Sequence, residues 1–192
     1  LGFATYQKLL AEAVEELKAK EFKSLYADVK GGWESQNRDC QLDTDMALRL
    51  PSNYINDVEE RLSIYKALNQ VTQEDDLRAF ADGLVDRFGQ LPAEAIDLID
   101  SMKLRWMGEA MGLEKLVLKG KKMLAYFPAD PDKAPPQEVL MPCLDALQRN
   151  PSRFRMKQKN GRITLVVEAV ETVAEAMILL KQLSPGNLPL SP

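Results

Sequence analysis

Apolar side chains recur at Tyr6, Leu9, Leu10, Ala13 and Leu17, with Lys8, Glu12, Glu15, Glu16 and Lys18 on the other faces. That spacing predicts an amphipathic helix. From Lys18 to Asn37 the pattern dissolves into a polar connector around Gly31-Gly32-Trp33, so the domain proper is expected to start near Arg38. Cys40, Leu42, Thr44, Met46, Leu48 and Leu50 then alternate with polar residues up to Pro51, which predicts one half-buried strand. Ile55, Val58, Leu62 and Tyr65 return to helical spacing, with Asn53 or Asn56 as the expected N-cap and an end near Asn69.

Thr72 and Asp75 read as a capping box for a helix carrying Leu77, Phe80, Ala81, Leu84, Val85 and Phe88. Gly89 and Pro92 make Arg87-Phe88-Gly89-Gln90-Leu91-Pro92 a helix-helix corner. Ala95, Ile96, Ile99, Met102, Trp106, Met107 and Ala110 cover a wide arc, as a central core helix would, and Gly112 closes it. Leu116 to Leu118 and Met123 to Phe127 then predict a hairpin through Lys119-Gly120-Lys121.

Five prolines between Pro128 and Pro142 predict a mobile loop, followed by a short helix through Cys143, Leu144 and Leu147 that stops at Asn150-Pro151. Asn160-Gly161 joins two further alternating strands, a strong two-residue hairpin signal. Thr172 and Glu175 cap a last helix through Val173, Ala176, Met177, Leu180 and Leu183. Strands and helices segregate instead of alternating, so the expected class is α+β: helices packed with a small antiparallel or mixed sheet, preceded by an amphipathic helix and linker. The expected division is 1–37 helix and connector, 38–184 the domain, and 185–192 a disordered tail.

Composition narrows the chemistry. The 192 residues contain 45% hydrophobic and 28% charged side chains, an ordinary globular mixture. No apolar run approaches the length needed to span a bilayer, roughly 20 residues, and the segment after Leu1 lacks the features of a signal peptide. The chain therefore reads as a cytoplasmic piece of a longer protein, without a membrane partner. Histidine is absent, which removes the commonest general base and metal ligand, and Cys40 and Cys143 form no C-x-x-C, so no metal is expected. No phosphate-binding glycine loop occurs. The carboxylate pairs Asp43 with Asp45, Asp75 with Asp76 and Asp130 with Asp132 lack catalytic partners and read as solvated surface charge. No catalytic residue is expected.

Two surfaces remain. Arg153, Arg155, Lys157 and Lys159 alternate along one strand near Arg162, a stripe able to hold phosphates. A solvated face that discourages edge pairing is the competing reading, and the net charge of -4 favours it. On the second helix Asp57, Arg61 and Tyr65 sit one turn apart, as a projecting polar and aromatic ridge or as a routine ion pair beside a Tyr at the core edge.

The stretches MALRLPSNYINDVEERLSIYKALNQ and LVDRFGQLPAEAIDLIDSMKLRWMGEAMGLEKL resemble the C-terminal domain of the bacterial transcription-repair coupling factor, Mfd. The R-L-P, D-V-x-x-R-L-x-x-Y-K and D-R-F-G-x-L-P motifs carry the resemblance, and GFATYQKLLAEAVEELK resembles the end of that family's motor. Resemblance covers most of residues 1 to 118, whereas the last third matches only in general layout.

The resemblance implies a parent that is an ATP-driven DNA translocase, displacing stalled RNA polymerase and recruiting UvrA. ATP and magnesium would belong to that motor, leaving no cofactor in this part. It further implies a clamp that packs on the parent's N-terminal UvrB-like module and masks UvrA binding. Asn56, Asp57, Arg61, Tyr65, Asp86, Arg87 and Phe88 are the expected clamp residues. The alternative is an accessory domain that binds nucleic acid through Arg153, Arg155, Lys157 and Lys159.

Overall fold

The computed structural model describes residues 40–130 and 135–184. The expected first helix, the connector and the tail lie outside the described residues. The chain runs β1 (Gln41–Thr44), α1 (Val58–Gln70), α2 (Glu74–Phe88), α3 (Ala93–Ala110), β2 (Lys115–Lys119), β3 (Lys122–Tyr126), α4 (Gln137–Arg149), β4 (Phe154–Lys159), β5 (Arg162–Glu168) and α5 (Val173–Leu183). The class is α+β, as expected.

The strands form one mixed five-stranded sheet in the order β1-β2-β3-β5-β4. β1 runs parallel to β2, with Leu42 opposite Leu116, and the other neighbours are antiparallel. Both hairpins form as their turn chemistry predicts. Gly120 and Lys121 have φ of 57° and 59°, and Asn160 and Gly161 have 52° and 77°, the paired left-handed residues of a type I′ turn.

Because register partners share a face, the sheet has two unlike sides. Leu42, Leu116, Leu118, Met123, Ala125, Leu165 and Val167 point inward and are almost fully buried. They meet a helical layer in which Leu68, Leu77, Leu98, Leu104, Ala176 and Leu180 are fully buried. On the other side, positions such as Lys119, Lys122, Lys157 and Lys159 are exposed, and Val117, Leu124 and Tyr126 are half-buried.

Several elements start or stop elsewhere than their pattern predicts. β1 ends at Thr44, whose hydroxyl accepts from the Met46 N–H (3.0 Å); the Asp45 N–H still reaches the Leu118 carbonyl (3.3 Å), and the residues beyond it leave the ladder. Leu48 and Leu50 nevertheless stay buried, so the alternation marked burial and not a continuous strand. Asp57, not Asn53 or Asn56, caps α1: its carboxylate accepts from the Glu60 N–H at 2.7 Å. Thr72 does not cap α2, which begins after Gln73 without a side-chain cap and relies on Glu74, Asp75 and Asp76 in its first turn. Ile96 is 46% exposed, outside the core arc of α3.

α4 starts at Gln137, well before Cys143, and carries Pro142 inside it. Proline lacks the N–H that would bond to the Glu138 carbonyl, and Glu138 is exposed, in the first turn of the helix. The Thr172 cap of α5 forms, with its hydroxyl accepting from the Glu175 N–H at 3.1 Å. The returning Glu175 carboxylate accepts from Glu171, one residue earlier than the capping box predicts.

Candidate functional site

Arg61 and Tyr65 do not project. Arg61 is 4% exposed, and its Nη1 donates to the carbonyls of Ile55 (2.6 Å) and Asn56 (3.2 Å). Tyr65 is equally buried, and its hydroxyl accepts from the Leu50 N–H at 2.7 Å. The loop between Leu50 and Asp57 folds over α1 and leaves inward-facing backbone groups, which these two side chains satisfy. The R-L-P and R-L-x-x-Y motifs are thus two halves of one structural lock. Tyr65→Phe is expected to cost about 1.5 kcal/mol by orphaning the Leu50 N–H. Urea unfolding checks this, and a loss under about 0.5 kcal/mol would mean the N–H finds another partner.

The corner after α2 is presented to solvent and pinned from beneath. The Tyr54 hydroxyl shares its proton between the carbonyls of Leu84 (3.1 Å), in α2, and Gly89 (2.9 Å), at the helix's C-cap. Burial pushes the Tyr54 phenol above its ordinary pKa. Its ring packs edge-on to Phe88, with centroids 5.9 Å apart. Gly89 adopts φ 84°, which a side chain would resist. Arg87 stacks over the Phe88 ring at 4.8 Å and pairs with Glu60 of α1.

Glu60 and Tyr54 carry this arrangement and were missed in the sequence reading. Tyr54 lies beside the R-L-P motif, and that adjacency was the available signal. The Arg87–Glu60 pair links the end of α2 to the start of α1, and Asn56, Asp57, Val85, Asp86 and Arg87 around it are all exposed. Phe88 is half-buried and serves as the floor of this surface.

The basic hairpin is organised differently from a free cationic stripe. Arg155 pairs with Glu168 (3.6 Å), and Arg162 with Glu114 (2.9 Å). Arg153 Nη2 donates to the Ala169 carbonyl at 3.4 Å. Lys157 and Lys159 are exposed, and neither has an ion-pair partner among the described residues. Across the sheet, Asp43 bonds Lys119 (2.7 Å) and lies 3.7 Å from Lys115. Those lysines, the Lys119 hydrogen bond foremost, hold its carboxyl below the usual range. Asp45 accepts from the Gly120 N–H, so this acidic pair serves the strand and the turn.

Among the described residues no group of three or more His, Cys, Asp or Glu is placed to hold a metal. No described helix is long and apolar enough to cross a membrane. Cys40 and Cys143 are buried free thiols, and burial pushes Cys143 up to about 11. The Cys143 thiol is thus protonated at neutral pH and unsuited to nucleophilic work.

The TRCF domain model matches residues 44–138. The transcription-repair-coupling factor of Escherichia coli (strain K12) is 31% identical over 156 residues, covering 81% of this chain and 12% of that protein. The factor of Haemophilus influenzae is 24% identical over 186 residues, covering 91% of this chain and 15% of that protein. A crystal structure of the C-terminal domain of a transcription-repair coupling factor has the same fold, with a TM-score of 0.59 at 17% identity, covering 77% of this chain and 94% of that one. The chain spans only a small part of the full-length relatives, yet nearly all of that C-terminal domain. The motifs, the mixed sheet and these matches together place the chain in the TRCF-domain family of transcription-repair-coupling factors.

Proposed function

We propose that this chain is the non-catalytic regulatory domain of an ATP-driven DNA translocase in transcription-coupled repair. In this reading it clamps the parent's N-terminal UvrB-like module and covers the surface that UvrA must bind. The observation that carries it is the pinned corner: exposed Val85, Asp86 and Arg87 sit on a backbone that Tyr54 holds from both sides. A rigid, mixed-charge patch with one exposed apolar residue suits a weak intramolecular interface, because tethering supplies the effective concentration that a weak contact lacks. Weakness lets the clamp open when the motor engages polymerase.

In this reading the clamp surface has to leave out the side chains that are buried. Arg61 and Tyr65 leave it, Phe88 becomes its floor, and Glu60 and Val85 join Asn56, Asp57, Asp86 and Arg87. Titrating the parent's N-terminal module with this chain, by calorimetry, tests the assignment. Asp86→Arg should weaken the complex about tenfold, roughly 1.4 kcal/mol, without altering thermal stability, and UvrA should compete with the wild-type complex. In the full-length protein the same substitution should raise resting UvrA affinity. Wild-type affinity in the variant, or no competition by UvrA, would remove this corner from the clamp.

A further inference from the structure

β4 closes one end of the sheet, and its far edge meets no other strand among the described residues. The two-residue turn at Asn160-Gly161 makes Lys159 and Arg162 a hydrogen-bonded pair, so Lys157 with Thr164 and Arg155 with Val166 are hydrogen-bonded pairs as well. The Glu168 N–H, which donates to the Arg153 carbonyl at 2.9 Å, keeps the same phase. The residues in between therefore turn their backbone away from β5. The N–H and C=O of Met156 and Gln158 and the C=O of Phe154 point out from the sheet edge, whereas the Phe154 N–H is taken by the Asn150 carbonyl at 3.1 Å.

Natural sheets usually blunt such an edge with a cover, a bulge or a proline. β4 keeps six residues in unbroken register, without a bulge or a proline. What it carries is charge. Arg155, Lys157 and Lys159 alternate along its outer side, and Lys157 and Lys159 are exposed with no ion-pair partner among the described residues. The one carboxylate on β4 and β5, Glu168, lies at the other end of the pair, against Arg155 and Lys122.

We infer that the free edge of β4 is a docking site for an extended, acidic segment of a partner protein, added to the sheet as a further strand. The backbone groups choose the conformation of the occupant. Donors and acceptors that recur together about every 6.8 Å are matched by another extended backbone. A helix has its own N–H and C=O groups paired internally, and a phosphate chain offers acceptors without donors.

The charges choose the sequence of the occupant. An antiparallel second copy of β4 would set Arg155, Lys157 and Lys159 against their own counterparts, so self-pairing is repelled. Neighbours across a ladder share a face, so a strand with Asp or Glu at every second position lays its carboxylates beside those cations instead. Its other side chains fall beside half-buried Met156, on the side of the sheet where α4 packs against β4. Lysines that discourage a cationic edge thus select an acidic one. This edge shares no residue with the corner assigned to the clamp, and its test does not depend on that assignment.

The probe is a labelled synthetic peptide of about eight residues that alternates Glu with Val or Thr, read by fluorescence anisotropy against the whole chain. Saturable binding with a Kd of about 100 μM is expected. An extended strand turns alternate N–H groups to the edge, so N-methylating one set of alternate peptide residues should abolish binding and methylating the other set should spare it. Gln158→Pro removes an outward N–H without touching the ladder to β5 and should weaken binding at least about tenfold. Lys157→Glu/Lys159→Glu, at two exposed positions, should do the same, and a peptide with Lys in place of Glu should not bind. Circular dichroism melts establish that each variant is folded. Absence of saturable binding, the same effect from both methylation sets, or binding indifferent to both variants overturns the proposal. So does self-association of the chain that Gln158→Pro abolishes, or tighter binding of labelled duplex DNA that displaces the peptide.

Discussion

Replacing Arg61 with alanine is expected to remove about 3 kcal/mol of folding stability, a large fraction of what a domain of this size possesses. The guanidinium is 4% exposed and donates to two carbonyls, those of Ile55 and Asn56. Its loss strands both acceptors and opens a cavity where the arginine stem lay. With a urea dependence of about 2 kcal/mol per M, the unfolding midpoint should fall by about 1.5 M. Arg61→Lys should recover under half of this, because the lysine side chain is shorter and its ammonium falls short of the position between the two carbonyls that Nη1 occupies.

The informative readout is the combination of stability and binding. At a temperature where Arg61→Ala remains folded, its affinity for the parent's N-terminal module should equal wild type. The Asp86→Arg substitution should show the converse, with weaker binding at unchanged stability. A stable Arg61→Ala variant that fails to bind would mean that Arg61 acts in the interface as well as in the fold.

Arg61 also marks where the sequence stops being legible. The buried Leu62 and Tyr65 of the helical stripe read directly from apolar spacing. The inward turn of Arg61 depends on the path of residues 51–57, which fold back over α1, and no spacing rule contains that path. Both hairpins were legible because Gly120 and Asn160-Gly161 sit where left-handed backbone is required. Residues 45–50 were misread as strand because burial in an irregular loop leaves the same alternation as a ladder.

The basic stripe shows the same limit from the other side. Alternation placed Arg155, Lys157 and Lys159 on one face of β4, which the register confirms. Alternation within one strand is silent about neighbours, and Glu168, which neutralises Arg155, arrives through the pairing of β4 with β5. The corner was legible as a corner from Gly89 and Pro92. Its rigidity was not, because Tyr54 reaches it from 30 and 35 residues away in the chain.

The close approach of α3 to the sheet yields a second large effect. Gly108 lies in the last turn of α3, where glycine costs at most the roughly 1 kcal/mol relative to alanine that it costs in a helix interior. Propensity alone therefore predicts that filling the position stabilises the chain. Packing predicts the opposite, because a Cβ there would stand 2.7 Å from Cys40 Sγ and 3.0 Å from Leu116 Cδ1. Both neighbours are buried, at 1% and 0% exposure, so neither side chain has free volume to turn into.

Gly108→Val, with three added carbons and no gain in helix propensity comparable to alanine's, is expected to cost about 3 kcal/mol. Gly108→Ala should cost about 1 kcal/mol, the propensity gain offsetting part of the clash. Trimming the nearest obstacle separates the terms: Cys40→Ala removes the sulfur, and in that background Gly108→Ala should become neutral or stabilising, a coupling of about 1 kcal/mol in a double-mutant cycle. If Gly108→Ala stabilises the wild-type chain, α3 can ride outward from β1 and β2. The spacing between α3 and the sheet would then be adjustable, not set by contact.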